Sequence, residues 1–165
     1  MRWNRQEVGT LNRKIESILV PTDFSLRSCD AFEWAAFLAK QLDATILLLH
    51  VLPEGTAQDL VSSPGNPWEK VLDKEDKMMI KEFVASVDAN LNGDLVKETI
   101  VAVGNAPEKI VEIAQERGVG LIVMCTHGRT GLAHVLMGSV AGHVVRHATC
   151  PVLSVRGKGS EPEKG

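Results

Sequence analysis

A glycine-rich stretch in the last third of the chain, residues 125–155, has the residue types that bind an anion. Gly138 and Ser139 begin a predicted helix, where unpaired backbone N–H groups and the helix dipole attract negative charge. Upstream, Gly128 and Gly131 can adopt positive φ and turn further N–H groups inward. These features are compatible with a phosphate-binding loop. A glycine turn followed by an N-cap serine would produce the same sequence without a ligand, so both interpretations remain open.

A second polar element is Asp23, which follows the apolar run in "SILVPTD". An acid after a buried strand can cap the next helix. It can also accept hydrogen bonds from ribose hydroxyls, as in dinucleotide-binding folds, and its charge suits a sugar better than a phosphate. If its loop faces the glycine-rich loop, the two together match the two ends of a nucleotide.

Other kinds of site are weakly indicated. The sequence contains neither a P-loop pattern nor a G-x-G-x-x-G after a strand. His143 and His147 are four residues apart and could share a metal, but without a third ligand they are interpreted as helix-surface histidines. Ser139, His127 and Asp23 are residue types of a hydrolase triad, but Ser139 lacks a nucleophile elbow.

Alternating strands and helices must position these loops. The predicted strands are 18–20, 45–51, 96–102, 120–125 and 151–155. Four helices are predicted between the strands. The first has Ser25 or Ser28 as N-cap and the apolar residues Ala31, Trp34, Ala35, Leu38 and Leu42 on one side, and the second has Ile80, Phe83, Val84, Val87 and Leu91 on one side. The third spans 106–118, and the fourth has Val140, Val144 and Ala148 on one side. This α/β pattern implies a parallel sheet with helices on both faces and right-handed crossovers. Such sheets bind ligands beyond the carboxyl ends of the strands, where the strand order reverses, so the nucleotide hypothesis requires the first and fourth strands to be neighbours.

Composition limits the class of protein. The 165 residues fit one domain, with a flexible arm at 1–14 and a disordered tail at 157–165. A net charge of -3 and 4% aromatic residues argue against a nucleic-acid partner. Three cysteines without paired spacing fit a reducing compartment, and the sequence shows neither a secretory signal nor an apolar run long enough to span a membrane. We therefore expect a cytoplasmic protein without a membrane partner; Cys29 and Cys150 are expected to be packing residues.

Three segments resemble the universal stress protein family: "ILVPTDFS", "ILLLHV" and "THGRTGLAHVLMGSVAGHVVRHATCPVLSVR". The resemblance covers about residues 15–156. It implies an open five-stranded parallel sheet in the order 3-2-1-4-5 with helices on both faces, of the adenine nucleotide alpha hydrolase-like type. It also implies a stress-response role and a homodimer joined through the last strand, Val152 to Val155, where an apolar edge strand would gain a partner.

One branch of this family binds ATP through a G-x-x-G, nine residues, then G-[ST] pattern. Here Gly128 is followed by nine residues and then by Gly138-Ser139, whereas Cys125 stands in place of the first glycine. The thiol could narrow the site, although a small cysteine can instead point into the core. By position, the resemblance assigns nucleotide contacts to Pro21, Thr22, Asp23, Val51, Met124, Cys125, Gly128, Arg129, Gly138, Ser139 and Val140.

The resemblance thus implies a dimeric, ATP-binding, nucleotide-responsive regulator. Asp23 would hold the ribose, the backbone of Val51 would meet adenine, and the segment 128–139 would wrap the phosphates, bridged by Mg²⁺ or Mn²⁺. The sequence shows no catalytic base or lysine clamp, so we expect slow hydrolysis at most. The alternatives are a dimeric family member that has lost nucleotide binding, and an ATPase or self-phosphorylating enzyme.

Overall fold

A computed structural model describes residues 14–24, 26–55, 95–126 and 137–157 of the chain. The strands are β1 (Ser17–Pro21), β2 (Thr45–Leu52), β3 (Val96–Val103), β4 (Leu121–Cys125) and β5 (Val152–Val155), and the helices are α1 (Leu26–Leu42), α2 (Ala106–Glu116) and α3 (Ser139–His147). All five predicted strands and three of the predicted helices are confirmed. The predicted helix at 80–91 lies outside the described residues.

The five strands form one parallel sheet in the order β3-β2-β1-β4-β5, which confirms the predicted topology. β1 and β4 are therefore neighbours, as the nucleotide hypothesis requires. β1 pairs with β2 along its whole length, from Ser17 to Pro21, but its described pairing with β4 covers Ile18 and Leu19. Ligands of parallel α/β sheets bind beyond the carboxyl ends of strands where the strand order reverses, and we call this place between β1 and β4 the crevice.

Two apolar cores lie on opposite faces of the sheet. Ile18 and Val20 of β1 belong to the core that α1 covers, while Leu19 belongs to the core that α2 and α3 cover. Because side chains of a strand point alternately to its two faces, a strand buried on both must be apolar throughout. This explains why the central strands appear in the sequence as continuous apolar runs. None of the helices in the described part of the chain is long and apolar enough to span a bilayer.

The predicted apolar side of α1 is partly wrong. Ala31 and Ala35 are buried, but Trp34 is 52% exposed and Leu42 is 38% exposed. The buried side also includes Phe32, Ala36 and Ala39. Both sets have helical spacing, so spacing could not choose between them. The alanines allow the helix to lie close to the sheet, whereas the bulky Trp34 is left on the outer side.

The predicted N-cap at Ser28 is also wrong, because α1 begins at Leu26 and Ser28 lies within its first turn. The alternative cap, Ser25, lies outside the described residues. For α3, the predicted side is confirmed: Val144 is buried, and Val140 and Ala148 pack against the same core.

The predicted ends of α2 are confirmed within two residues. Pro107 lies in its first turn, and Gly118 follows its end with φ +58°. Arg117 donates to both carboxylate oxygens of Glu98 on β3, at 2.9 and 3.0 Å. This exposed pair ties the end of α2 to the edge of the sheet, although pairs of this kind contribute at most about 1 kcal/mol.

The two cysteines expected to be packing residues do pack against the cores, Cys29 on the α1 side and Cys150 on the α2–α3 side. Burial is the largest cause that raises the pKa of the Cys29 thiol, followed by the carboxylates of Asp30 and Glu33, with a smaller contribution from Asp23. Burial also raises the pKa of Cys150.

Replacing Gly118 by alanine should lower the free energy of unfolding by about 1–2 kcal/mol, because this is the conformational energy that a residue with a Cβ atom costs in the left-handed region. An added Cβ would meet nothing within 4 Å, so the backbone alone is tested. Gly142, inside α3, is the matched control, since a Cβ there makes ordinary contacts at 3.9 Å or more. Gly142→Ala should raise stability by up to about 1 kcal/mol in urea titration. Changes of equal sign in the two variants would contradict this account.

Stability should decline above about pH 9 in part through Cys29. Its folded pKa is raised above the ordinary value of 9.0, so the unfolded chain loses the proton first as the pH rises. The stabilisation is therefore complete below pH 9 and is lost as the pH rises toward the folded pKa. Urea titrations at several pH values should show a steeper alkaline decline for the wild type than for Cys29→Ala. Parallel profiles would show that this thiol does not contribute.

Candidate functional site

The crevice lies beyond the carboxyl ends of β1 and β4, which are at the same edge of the parallel sheet. Pro21, Thr22 and Asp23 stand at the first of these ends, and Cys125 stands at the second. These residues come from distant parts of the chain, and the adjacency of β1 and β4 brings the two ends together.

The start of α3 is held beside the end of β4. The N–H of Thr126 donates to the carbonyl of Val155 at 2.9 Å, and the N–H of Gly138 donates to the carbonyl of Thr126 at 2.7 Å. Gly138 at the start of α3 is therefore in direct contact with Thr126 at the end of β4. Two of the predicted phosphate contacts, Gly128 and Arg129, fall between these two residues in the sequence and lie outside the described residues, as does His127.

The amino-terminal end of α3 suits a negatively charged ligand. Gly138 occupies the N-cap position without a side-chain capping bond, and the first turn has no acidic residue. The first N–H groups of any α-helix lack an intrahelical acceptor. Ser139 is exposed at this end. The basic residue Arg146 lies in the last turn of α3, at the opposite end of the helix. With φ -62°, Gly138 has an ordinary backbone, so its contribution is the space that a missing side chain leaves.

The turn after β1 is fixed by Thr22, whose side chain is buried. Its N–H continues the ladder by donating to the carbonyl of Leu49 at 2.8 Å. Its hydroxyl donates to Ser28 Oγ at 3.0 Å and accepts the N–H of Phe24 at 3.0 Å. The buried hydroxyl is thus hydrogen-bonded within the protein, and Thr22 shapes the turn.

Asp23 lies half-buried between two buried residues, Thr22 and Phe24. It precedes the first helical residue, Leu26, by three positions, whereas an N-cap immediately precedes the helix. Its position therefore argues against an N-cap role for this acid.

Three apolar residues of the predicted site lie on one face of the sheet. Met124 is buried in the α2–α3 core, and Val51 and Val140 are half-buried against the same core. Cys125 packs instead against the α1-side core, next to Val123 in the alternation of β4. The two consecutive residues at the end of β4 therefore face opposite sides of the sheet.

The alternative sites receive no support from the described residues. His143 and His147 stack with ring centroids 4.1 Å apart, and His147 Nδ1 lies 2.8 Å from the carbonyl of His143. Within the described ranges, no group of three or more histidine, cysteine, aspartate or glutamate side chains could hold a metal ion. None of the three cysteines forms a disulfide.

Sequence reasoning missed two residues that shape the site, His50 and Phe24. His50 Nδ1 lies 2.8 Å from the carbonyl of Thr22, and its ring packs on that of Phe24 at a centroid distance of 4.6 Å. A signal existed in the sequence: His50 interrupts the apolar run of β2, and a polar group in a largely buried strand requires a hydrogen-bond partner.

Comparison of the sequence with known proteins identifies related proteins over most of the chain. The model of the universal stress protein family matches residues 14–156. Universal stress protein MJ0531 of Methanocaldococcus jannaschii is 32% identical over 149 residues, covering 86% of this chain and 82% of the relative. Universal stress protein MJ0577 of the same organism is 32% identical over 158 residues, covering 88% and 97%.

Solved structures share the fold of this chain. That of MJ0577 superposes with a TM-score of 0.66 at 31% identity, covering 88% of this chain and 99% of that one. A universal stress protein in complex with cAMP shares the fold at a TM-score of 0.64 and 22% identity, covering 88% and 100%. One from Archaeoglobus fulgidus in complex with dAMP does so at 0.56 and 22%, covering 87% and 100%. On the family match and the relatives of about one-third identity, this chain belongs to the universal stress protein family.

Proposed function

We propose that the chain binds ATP in the crevice between β1 and β4 and acts as a dimeric, nucleotide-responsive stress regulator. The observation that carries this proposal is that β1 and β4 are neighbours at the point where the strand order reverses, so that their carboxyl ends lie at one sheet edge. Asp23 follows the end of β1, and the start of α3 is hydrogen-bonded to Thr126 at the end of β4. Ligands of parallel α/β sheets bind at such a point.

The class of ligand is supported by two proteins of the same fold. One is in complex with cAMP and the other with dAMP. Both ligands combine adenine, a sugar and a phosphate. These groups match the residues that we assign to the crevice: the half-buried Val51, the acid Asp23 and the helix amino terminus at Gly138.

ATP in particular is proposed from the glycine spacing in the sequence. The segment from Gly128 to Ser139 has the length to wrap more than one phosphate, and the first turn of α3 brings no competing acid. Bound ATP would contact both sides of the crevice, with its phosphates at the amino terminus of α3 and its ribose at Asp23. The described residues form no protein cage for a metal, so Mg²⁺ or Mn²⁺ would be held mainly by the phosphates.

The regulatory effect of the protein would come from the binding of ATP, not from its hydrolysis. None of the described crevice residues is a lysine that could clamp a transferring phosphate. A nucleotide that contacts both sides of the crevice would link the ends of β1 and β4.

A second copy of the chain would form the dimer by pairing with this one through β5. This strand forms one edge of the sheet and is apolar at three of its four positions, so it can pair with another copy.

Binding should be measurable by isothermal titration and by thermal unfolding with Mg-ATP. Ligand at a hundred times Kd stabilises by about 2.7 kcal/mol, which corresponds to a rise in Tm of about 5–10 °C for a chain of this size. Asp23→Asn should weaken binding at least about tenfold, because it removes a charged acceptor. The Tm of the variant without nucleotide should be measured as well, so that a loss of affinity is distinguished from a loss of folded stability.

The same measurements decide between the alternatives. No response of the wild type to millimolar Mg-ATP would favour a family member that dimerises without nucleotide. Sustained release of phosphate well above about one per second would favour an enzyme.

Cys125→Gly should leave the affinity for ATP within about threefold of the wild type, because the thiol packs against the α1-side core and away from Met124. The variant should lose stability, since glycine in a strand is more flexible and packs less well. Cys125→Ala separates the loss of the thiol from the added flexibility. A tenfold gain in affinity in both variants would instead show that the sulfur obstructs the nucleotide.

A further inference from the structure

His50 contacts both residues that flank Asp23. Its Nδ1 lies 2.8 Å from the carbonyl oxygen of Thr22. Because a carbonyl oxygen only accepts, Nδ1 carries the hydrogen and donates it. The imidazole ring packs on Phe24 with a centroid distance of 4.6 Å and an angle of 41° between the planes. One side chain of β2 thus contacts the turn before and after the acid.

The turn needs this support because Phe24 has φ +58°. A bulky residue in the left-handed region is uncommon, and it persists only where its surroundings hold it. Thr22 contributes by accepting the N–H of Phe24. The Phe24 side chain is buried and clusters with Leu52. The strain lies next to the acid that we assign to the ribose, and strained backbone concentrates at binding sites.

We propose that His50 is a positioning residue for the nucleotide site. Its N–H holds the carbonyl of Thr22, its ring holds Phe24, and together these contacts fix the direction in which Asp23 leaves the backbone. His50 acts through the turn and does not itself contact the nucleotide. The inference rests on the proposed function, and it extends the site to a residue on β2 that the glycine pattern does not include.

Two substitutions separate the two contacts. His50→Phe keeps a planar ring against Phe24 and removes the donor to Thr22. His50→Asn places an amide N–H close to the former Nδ1 and removes the ring. The matched control is His147→Phe: its Nδ1 also lies 2.8 Å from a backbone carbonyl, but on the exposed last turn of α3, at the opposite end of this helix from Gly138.

The dissociation constant for Mg-ATP should be measured by isothermal titration well below the Tm of each variant. We expect His50→Phe to weaken binding about tenfold, the loss that corresponds to one ordinary hydrogen bond. His50→Asn keeps a donor but loses the ring, so it should weaken binding less than His50→Phe does, by about threefold. His147→Phe should bind as the wild type does. Wild-type affinity in His50→Phe, or an equal loss in His147→Phe, would overturn the inference.

A second readout does not depend on the nucleotide. Hydrogen exchange at the Phe24 amide, followed by NMR without ligand, reports whether the turn has loosened. We expect about tenfold faster exchange in His50→Phe than in the wild type or His147→Phe. Equal rates would overturn the positioning role. A wild type that does not bind ATP but shows this pattern of exchange would overturn the proposed function and leave the role of His50 in the turn supported.

Discussion

The reversal of strand order between β1 and β4 is the constraint on which the rest of the site depends. β1 leads into α1 on one face of the sheet, whereas β4 leads toward α3 on the other. The helices that follow these two neighbouring strands therefore pack on opposite faces of the sheet. Right-handed crossovers require this arrangement once the strand order is set, and it is the point at which ligands of parallel α/β sheets bind.

The two sides of this crevice are built differently. On the β1 side, rigidity comes from side chains: a buried hydroxyl at Thr22, the ring of Phe24 and the imidazole of His50 hold three consecutive residues. On the β4 side, it comes from backbone bonds that fix Thr126 to β5 and Gly138 to Thr126. An acid needs a defined direction, whereas a helix terminus needs only to be placed, and each side has the kind of support that its group requires.

The sequence predicted the sheet well because burial on both faces forces a continuous apolar run, which few other structures require. It predicted α1 less well, because Trp34 and Phe32 both fit a helical period and only the packed sheet shows which side has room. The glycine pattern correctly indicated that a helix begins at Ser139. The contribution of His50 could not be read from spacing, because its partners are 28 and 26 residues away in the chain and meet it only across the β1–β2 ladder.

Cys125 shows how a departure from a family pattern can be tolerated. Side chains alternate along β4, so Met124 faces the α2–α3 core and the next residue faces α1. A side chain added at position 125 therefore occupies space within the α1-side core, opposite Val155 in the register of β5. Glycine at this position would leave that space unfilled, whereas a small thiol fills it without reaching the face on which Val51 and Val140 lie. The thiol of Cys125 thus packs on the α1 side of the sheet, opposite to the face of Met124.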